Sequence, residues 1–273
     1  QKRGLRMSVA TAFLKPVLNR PNLRLETGVL VEKIVFEGKR AVGVQFRQNG
    51  KLVEARARGE VVLSAGAIGS PQILQLSGIG APDWLTALGI ATLHEKPGVG
   101  RNLQDHLQQR AIFKVTGVKT LNGTYHSLIG RALMGMEYAL FRSGPLTMAP
   151  SQLGIFTKSS SDHERANIEF HVQPLSLDKF GEPLHRFPAI TVSACNLRPT
   201  SRGTVRLRSG DPAAKPVIAP NYLSTPEDRR VAADAIRVTR RLMKQPAMQV
   251  YRPEEYLPGP SVGDDEASLA KAA

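Results

Sequence analysis

Two stretches of this chain carry residues in patterns that could do chemistry. In GEVVLSAGAIGSPQILQLSGIG, residues 59–80, the small residues Ser64, Ala65, Gly66, Ala67 and Gly69 stand where an apolar run, Val61 to Leu63, gives way to a helix. A turn without side-chain bulk at a helix N-terminus lets backbone amides approach a pyrophosphate or an aromatic cofactor ring. The same arrangement also packs a helix closely on a sheet, and the residues alone leave both readings open. About twenty residues later, EKPGVGRNLQDH is a Gly-rich loop that brings Asn102, Asp105 and His106 to its end.

Two of the six histidines, His106 and His171, are candidates for a substrate cavity. In ANIEFHVQPLS, Ile168, Phe170 and Val172 share one face of a predicted strand and Glu169, His171 and Gln173 the other, so His171 belongs to a polar face. A structural histidine satisfied by its neighbours is the alternative for each. No two histidines stand three or four residues apart, and the Asp and Glu residues near them form no recognisable ligand set, so no metal site is expected. Cys195 is the single cysteine, which excludes an intrachain disulfide and a cysteine-cluster metal site. Its setting, AITVSACNLRP, predicts a strand with a buried, inert thiol.

The elements that must position these residues follow from periodicity. Val61 to Leu63 has the continuous apolar pattern of a strand covered on both faces, as in a parallel sheet. Ser70 suits an N-cap and Pro71 a first helical position, which predicts a helix from there to about Ser77 and Gly78. Residues 22–58 predict a β-meander, with turns at Glu37-Gly38-Lys39 and Asn49-Gly50. A short helix should follow from Pro82 to Leu88. Beyond His106 the texture changes: LQQRAIFKVTG, ANIEFHVQPLS, AITVSACNL and GTVRLRS predict strands. Ser127 to Phe141 and PEDRRVAADAIRVTRRLM predict amphipathic helices. The fold class is α+β, with a division into residues 1–105, residues 106–252, and a tail, 253–273, of loop and an unfinished helix.

Composition bounds the function. The 273 residues are 41% hydrophobic and contain no stretch near the ~20 apolar residues of a membrane span. The N-terminus lacks the apolar core of a signal peptide, so a cytoplasmic protein is expected. The first residue is Gln1, which predicts a processed chain or a piece of a longer one. A net charge of +14 invites a nucleic-acid partner, but the basic residues are dispersed. The densest group, Arg229, Arg230, Arg237, Arg240, Arg241 and Lys244, is interleaved with Glu227, Asp228 and Asp234. Aromatic residues make up 5%, too few for the stacking platforms of single-strand binders, and no nucleic-acid partner is expected.

GAIGSPQILQLSGIG followed by PGVGRNLQDHL resembles the second signature of the glucose-methanol-choline (GMC) flavoprotein oxidoreductases. The likeness extends to TGVLVEKIVFEGKRAVGVQF and RPTSRGTVRLRSGDPAAKPVIAPNYL, and so covers nearly the whole chain. It implies the later part of an FAD-binding domain, with the meander and one parallel-type strand. A substrate domain follows, whose antiparallel sheet, six-stranded in the family, is flanked by helices. The implied reaction is FAD-dependent oxidation of an alcohol, as in choline or alcohol dehydrogenases, with oxygen or a quinone-type carrier as final acceptor. By the resemblance Val31 contacts the adenine, Ala65, Gly66 and Ala67 lie close to the FAD, and Asn102 and Asp105 pass near the flavin. His106, Gln108, Ser151, His171 and Gln173 line the substrate side.

The chain departs from the family pattern in ways that matter. It has no GxGxxG, since GIGAPD and GVGRNL both fail at the third glycine, and no histidine precedes a proline as the family's catalytic segment requires. An internal piece, inactive by itself, is therefore expected. Choline-oxidising members carry an acidic residue two positions after the QDH histidine, where this chain has Gln108, and a tryptophan where it has Ser151. An uncharged alcohol is the expected substrate; choline dehydrogenase proper and a non-catalytic binding domain remain as alternatives.

Overall fold

The computed structural model describes residues 1–149, 151–179 and 181–273. The first elements in chain order are β1 (Val29–Glu37), β2 (Arg40–Gln48), β3 (Lys51–Arg56), α1 (Gly66–Leu76), β4 (Ile79–Gly80), α2 (Pro82–Thr86) and β5 (His94–Glu95). They are followed by β6 (Gln108–Lys114), α3 (Leu121–His126), α4 (Leu128–Phe141), β7 (Leu153–Thr157), β8 (Ile168–Gln173) and β9 (Ala189–Asn196). The last are β10 (Thr204–Arg206), β11 (Val217–Ala219), α5 (Pro226–Met243), α6 (Pro246–Gln249), β12 (Glu254–Leu257) and α7 (Glu266–Ala272).

Two compact units result, and neither is continuous. One comprises residues 18–105 and 201–222; the other comprises 1–17, 106–200 and 223–273. The sequence division at 105/106 kept 1–105 and 106–252 whole, whereas residues 1–17 and 201–222 each belong to the opposite unit from their neighbours, and 253–273 belongs with the second.

In the unit of residues 18–105 and 201–222, β1, β2 and β3 form the meander, all antiparallel. Asn49 and Gly50 both take positive φ, +49° and +78°, as a tight hairpin turn of that twist needs. The expected strand at Val61–Leu63 is not formed: these residues join no ladder, and Val62 is 75% exposed. A parallel strand exists only through neighbours that accept its slanted hydrogen bonds, and no described residues supply them. The parallel pairing present is the short β4–β5 contact. Helix α1 begins at Gly66, four residues before the expected cap, so Pro71 lies inside it. Ser70 caps nothing downstream; its Oγ instead accepts from Ala65 N at 3.1 Å. The C-terminus is as expected, with Ser77 as cap and Gly78 at φ +79°. Ser77 Oγ also accepts from Ile34 N at 2.9 Å, which ties the helix end to the outer edge of β1.

In the other unit a five-stranded antiparallel sheet has the order β12-β6-β9-β8-β7. Residues 254–257, expected as loop, pair with β6 as its edge strand. Five strands are present among the described residues, against the six the resemblance implied. One face of this sheet packs on α5: Ala111, Phe113, Ile168, Phe170, Val192 and Ala194 meet Val231, Ala235, Val238 and Met243. Ile168 and Phe170 are 0% exposed, and each such burial contributes about 1.5–3 kcal/mol. Helix α5 starts at Thr225, whose Oγ accepts from Asp228 N, with Pro226 next and acidic residues in the first turn. Its basic residues are partly paired, Arg230 with Glu227, Arg237 with Asp234, and Arg240 with Glu255 and Asp264. Helix α4 forms as expected, capped by Ser127, but none of its residues is buried.

A buried amide organises the segment after β8. Asn122, 0% exposed, donates through Nδ2 to Ser176 O, Ser176 Oγ and His185 O, and its Oδ1 accepts from Ser176 N at 2.9 Å. Truncation would orphan buried donors and acceptors whose desolvation is no longer compensated. Asn122→Ala is expected to destabilise this unit by about 3 kcal/mol, read as a lowered urea midpoint at unchanged slope. A loss below half a kcal/mol, about the scatter of a surface substitution, would show that the amide does not hold this segment.

Candidate functional site

Within the unit of residues 18–105 and 201–222, the small-residue turn and the Gly-rich loop are held by different means. Ala65, Gly66 and Ala67 are exposed. Gly66 has φ +82°, and a Cβ built on it would meet nothing within 4 Å. Ala65 gives the first amides of α1 no side-chain acceptor, so they are left for a ligand or solvent. Val31 is half-buried on the edge strand β1, opposite Phe46.

The loop is clamped by residues far along the chain. Leu103 and Gly203 exchange both backbone hydrogen bonds, and Val205 N donates to Gly100 O at 2.7 Å. Gln75, 1% exposed in α1, donates to Val205 O at 3.0 Å and accepts from Leu207 N at 3.2 Å. Gly100, at φ +79°, has no alternative, since a Cβ there would lie 2.2 Å from Val205 O. The Trp84 ring carries the guanidinium of Arg101 at 4.7 Å and of Arg206 at 4.1 Å, which fixes the loop immediately before Asn102. Asn102 takes φ +59° and is exposed. Sequence reasoning missed Gln75, Gly203 and Tyr222 as positioning residues because their partners lie about 100 or more residues away, and it missed Trp84 because nothing local marks its ring as the seat of Arg101 and of the distant Arg206.

Asp105 is set by Tyr222, whose hydroxyl donates to Asp105 Oδ2. That bond, then burial and the nearby charge, push the Tyr222 phenol up to about 12. The folded chain thus holds this proton longer than the unfolded one. The contribution is fully present below about pH 10 and is lost as pH rises through about 12. One of the five tyrosines is accordingly expected to ionise late in a tyrosinate absorbance titration, and that step should vanish in Tyr222→Phe. If all five titrate together near their ordinary value, the bond is not formed in solution.

Within the other unit the polar face of the five-stranded sheet gathers most of the substrate-side candidates. Glu169, His171 and Gln173 alternate with the buried Ile168 and Phe170, as the sequence predicted. Gln108 and Glu169 lie in register on either side of Cys195, and His171 lies opposite Ser193. Gln173 Nε2 donates to Ser151 Oγ at 3.0 Å, which joins two candidates far apart in sequence. His171 Nε2 stands 3.4 Å from Glu169 Oε1. His106 precedes β6, and its Nε2 lies 3.3 Å from Leu197 O. Cys195 is buried as expected, and burial first, then the charge of Glu169, push its thiol up.

The structure also brings together three groups whose proximity the sequence did not show. Ligand atoms of Glu169, His171 and Cys195 lie within 4.8 Å of one another. The search for helical spacing of three or four could not see them, because on a strand the spacing that shares a face is two and the third residue comes from the neighbouring strand.

A Ser-His-Asp sequence of contacts also occurs: Ser176 Oγ is 3.0 Å from His185 Nδ1, and His185 Nε2 is 3.1 Å from Asp178 Oδ1. Ser176 is 0% exposed and receives a hydrogen bond from Asn122, so no substrate carbonyl can reach its oxygen. This network is part of the loop scaffold and not a nucleophile.

Comparison with known proteins shows the family of the chain. Sequence models of GMC oxidoreductase match residues 1–108 and residues 199–273. The chain is 40% identical over 273 residues to an alcohol dehydrogenase [acceptor] of Pseudomonas putida, covering 99% of this chain and 49% of the relative. It is 40% identical over 266 residues to an oxygen-dependent choline dehydrogenase of Chromohalobacter salexigens, with 97% and 47% covered. Among solved structures, pyridoxine 4-oxidase from Mesorbium loti superimposes with a TM-score of 0.80 at 26% identity, covering 98% of this chain and 49% of that one. A formate oxidase gives a TM-score of 0.87 at 23% identity, a likeness of fold, over 99% and 51% of the two chains. The chain spans about half the length of the curated relatives it matches. It is a member of the GMC oxidoreductase family, whose enzymes are FAD-dependent.

Proposed function

We propose that this chain supplies the later FAD-domain segment and the substrate sheet of an enzyme that oxidises an uncharged alcohol to an aldehyde or ketone. The single observation that carries this is the polar face of the five-stranded sheet, where Gln108, His171 and Gln173 stand together with Ser151 holding Gln173. These groups bind and orient a hydroxyl. When bound, FAD supplies the hydride-accepting chemistry. The residues of the turn fit that cofactor, because Ala65, Gly66 and Ala67 are exposed, Gly66 has open space beside it, and the first amides of α1 have no side-chain cap. Val31, Asn102 and Asp105 complete the cofactor side. The clamp of Gln75, Trp84 and Tyr222 keeps Asn102 and Asp105 in place. The match to an alcohol dehydrogenase that passes electrons to an unspecified acceptor supports the alcohol class and leaves the acceptor open.

The cofactor side is tested at Ala65. Gly66 is a poor probe, because any side chain at φ +82° strains the backbone by ~1–3 kcal/mol whatever the cofactor does. Ala65 has φ −83° and is exposed, so Ala65→Leu fits the backbone and adds bulk only where the turn faces outward. In the full-length protein this substitution is expected to lower flavin occupancy severalfold while the melting temperature of the apoprotein stays within a degree or two. Full occupancy with a lowered melting temperature would show that the turn serves packing.

A further inference from the structure

We propose that Glu169, His171 and Cys195 form a binding site for a divalent cation of zinc type on the polar face of the five-stranded sheet. Glu169 and His171 are two residues apart on β8 and therefore share a face, and Cys195 of β9 is the in-register partner of Glu169. The carboxylate, imidazole and thiol atoms all lie within 4.8 Å of one another. The 3.4 Å between Glu169 Oε1 and His171 Nε2 is already the separation that a tetrahedral ion imposes, since bonds of about 2.0–2.1 Å place oxygen and nitrogen ligands about 3.3–3.4 Å apart. The sulfur has about an ångström to close, a distance that a shift of the two partly exposed partners supplies.

The donor set selects the ion. One thiolate, one imidazole and one carboxylate suit zinc or cobalt(II) and are a poor cage for magnesium or calcium, which take oxygen ligands. Access is graded: the Glu169 and His171 side chains are 18% and 32% exposed, whereas Cys195 is 3% exposed. An ion can therefore enter from the carboxylate and imidazole side and meet the thiol last. On binding, the thiol proton leaves to solvent and a metal–sulfur bond forms, with no change of oxidation state. Three protein ligands leave a fourth position for water. The same face carries Gln108 and Gln173, so an ion held here would compete with the hydroxyl proposed above. The site itself does not depend on that reading, because its ligands lie in one unit and can be tested without flavin.

The test uses the 273-residue chain free of any histidine tag, titrated anaerobically with cobalt(II) and then with zinc. The expected result is one equivalent bound, a thiolate-to-cobalt charge-transfer band in the near ultraviolet, its displacement by zinc, and a metal-dependent rise in melting temperature. Cys195→Ser should lose the band, and the conservative His171→Gln and Glu169→Gln variants, at exposed enough positions to fold, should lose the rise in melting temperature. Absence of the band at millimolar cobalt overturns the proposal. So does a band or a thermal shift that persists unchanged in these variants, because other residues would then be the ligands.

Discussion

The purified 273-residue chain is expected to be colourless and to reduce no dye when given an alcohol. Tight binding of FAD calls for a glycine turn and a helix N-terminus that receive the pyrophosphate, and no GxGxxG occurs in this sequence. The proton of the hydroxyl needs a base. The family's catalytic histidine precedes a proline, and none of the six histidines here does. Val61 to Leu63 joins no ladder, so the doubly covered strand that its composition predicts is not formed among the described residues. A base removed from such a reaction costs about 100- to 10,000-fold in rate, and a cofactor not held removes the reaction altogether. Absorption at flavin wavelengths after reconstitution with FAD, and an anaerobic dye-reduction assay, check this. A yellow protein with alcohol-dependent dye reduction would mean that these residues alone hold the flavin and supply the base. Colour and activity that appear only when the chain is extended to the length of its relatives are the expected result.

Much of this was legible because it is local. The alternation in residues 168–173 put Glu169, His171 and Gln173 on one face, and the register of β8 with β9 keeps them there. The Asn49-Gly50 turn and the meander follow from residues whose φ preferences and period-two pattern act over a few positions. The start of α1 was misread because Ser70 and Pro71 are good cap residues in isolation. Gly66 reaches φ +82° at no steric cost and so allows the helix to begin a turn earlier, and Ser70 bonds back to Ala65. Residues 254–257 looked like loop beside Pro253 and Pro258, but the exposed edge of β6 accepts them as a strand. The metal-type cluster, the Asn122 network and the clamp on Asn102 and Asp105 were not legible. Each joins residues from different elements, and a single sequence contains no term for which distant polar groups will meet.

In the full-length protein we propose, kcat/KM for choline is expected to be no greater than for its uncharged isostere, 3,3-dimethylbutanol, although oxygen-dependent choline dehydrogenases are among its relatives. A quaternary ammonium has no N–H to donate and no lone pair to accept with, so it must be met by charge or by π-faces. At the position where choline-oxidising members carry an acid, this chain has Gln108, neutral and in register with Cys195. Where they carry a tryptophan it has Ser151, whose hydroxyl is engaged with Gln173. The chain's one tryptophan, Trp84, lies in α2, and its ring already carries Arg101 and Arg206. Glu169 is the one carboxylate on β6, β8 and β9 of the polar face, across Cys195 from Gln108, and its oxygen is 3.4 Å from His171 Nε2. A carboxylate engaged with an imidazole has less to give a cation than one held alone. Loss of an anion beside a partly desolvated cation costs about 2 kcal/mol, roughly thirtyfold in affinity. Two measurements decide the matter: the ratio of kcat/KM for the two alcohols, and the same ratio in Glu169→Gln. Equal rates, or a preference for the isostere, with a ratio unmoved by Glu169→Gln, support an uncharged substrate. A clear preference for choline that collapses in Glu169→Gln would show that the carboxylate has moved two strands over on the same face, from β6 across β9 to β8, and that the neutral Gln108 was no guide to specificity.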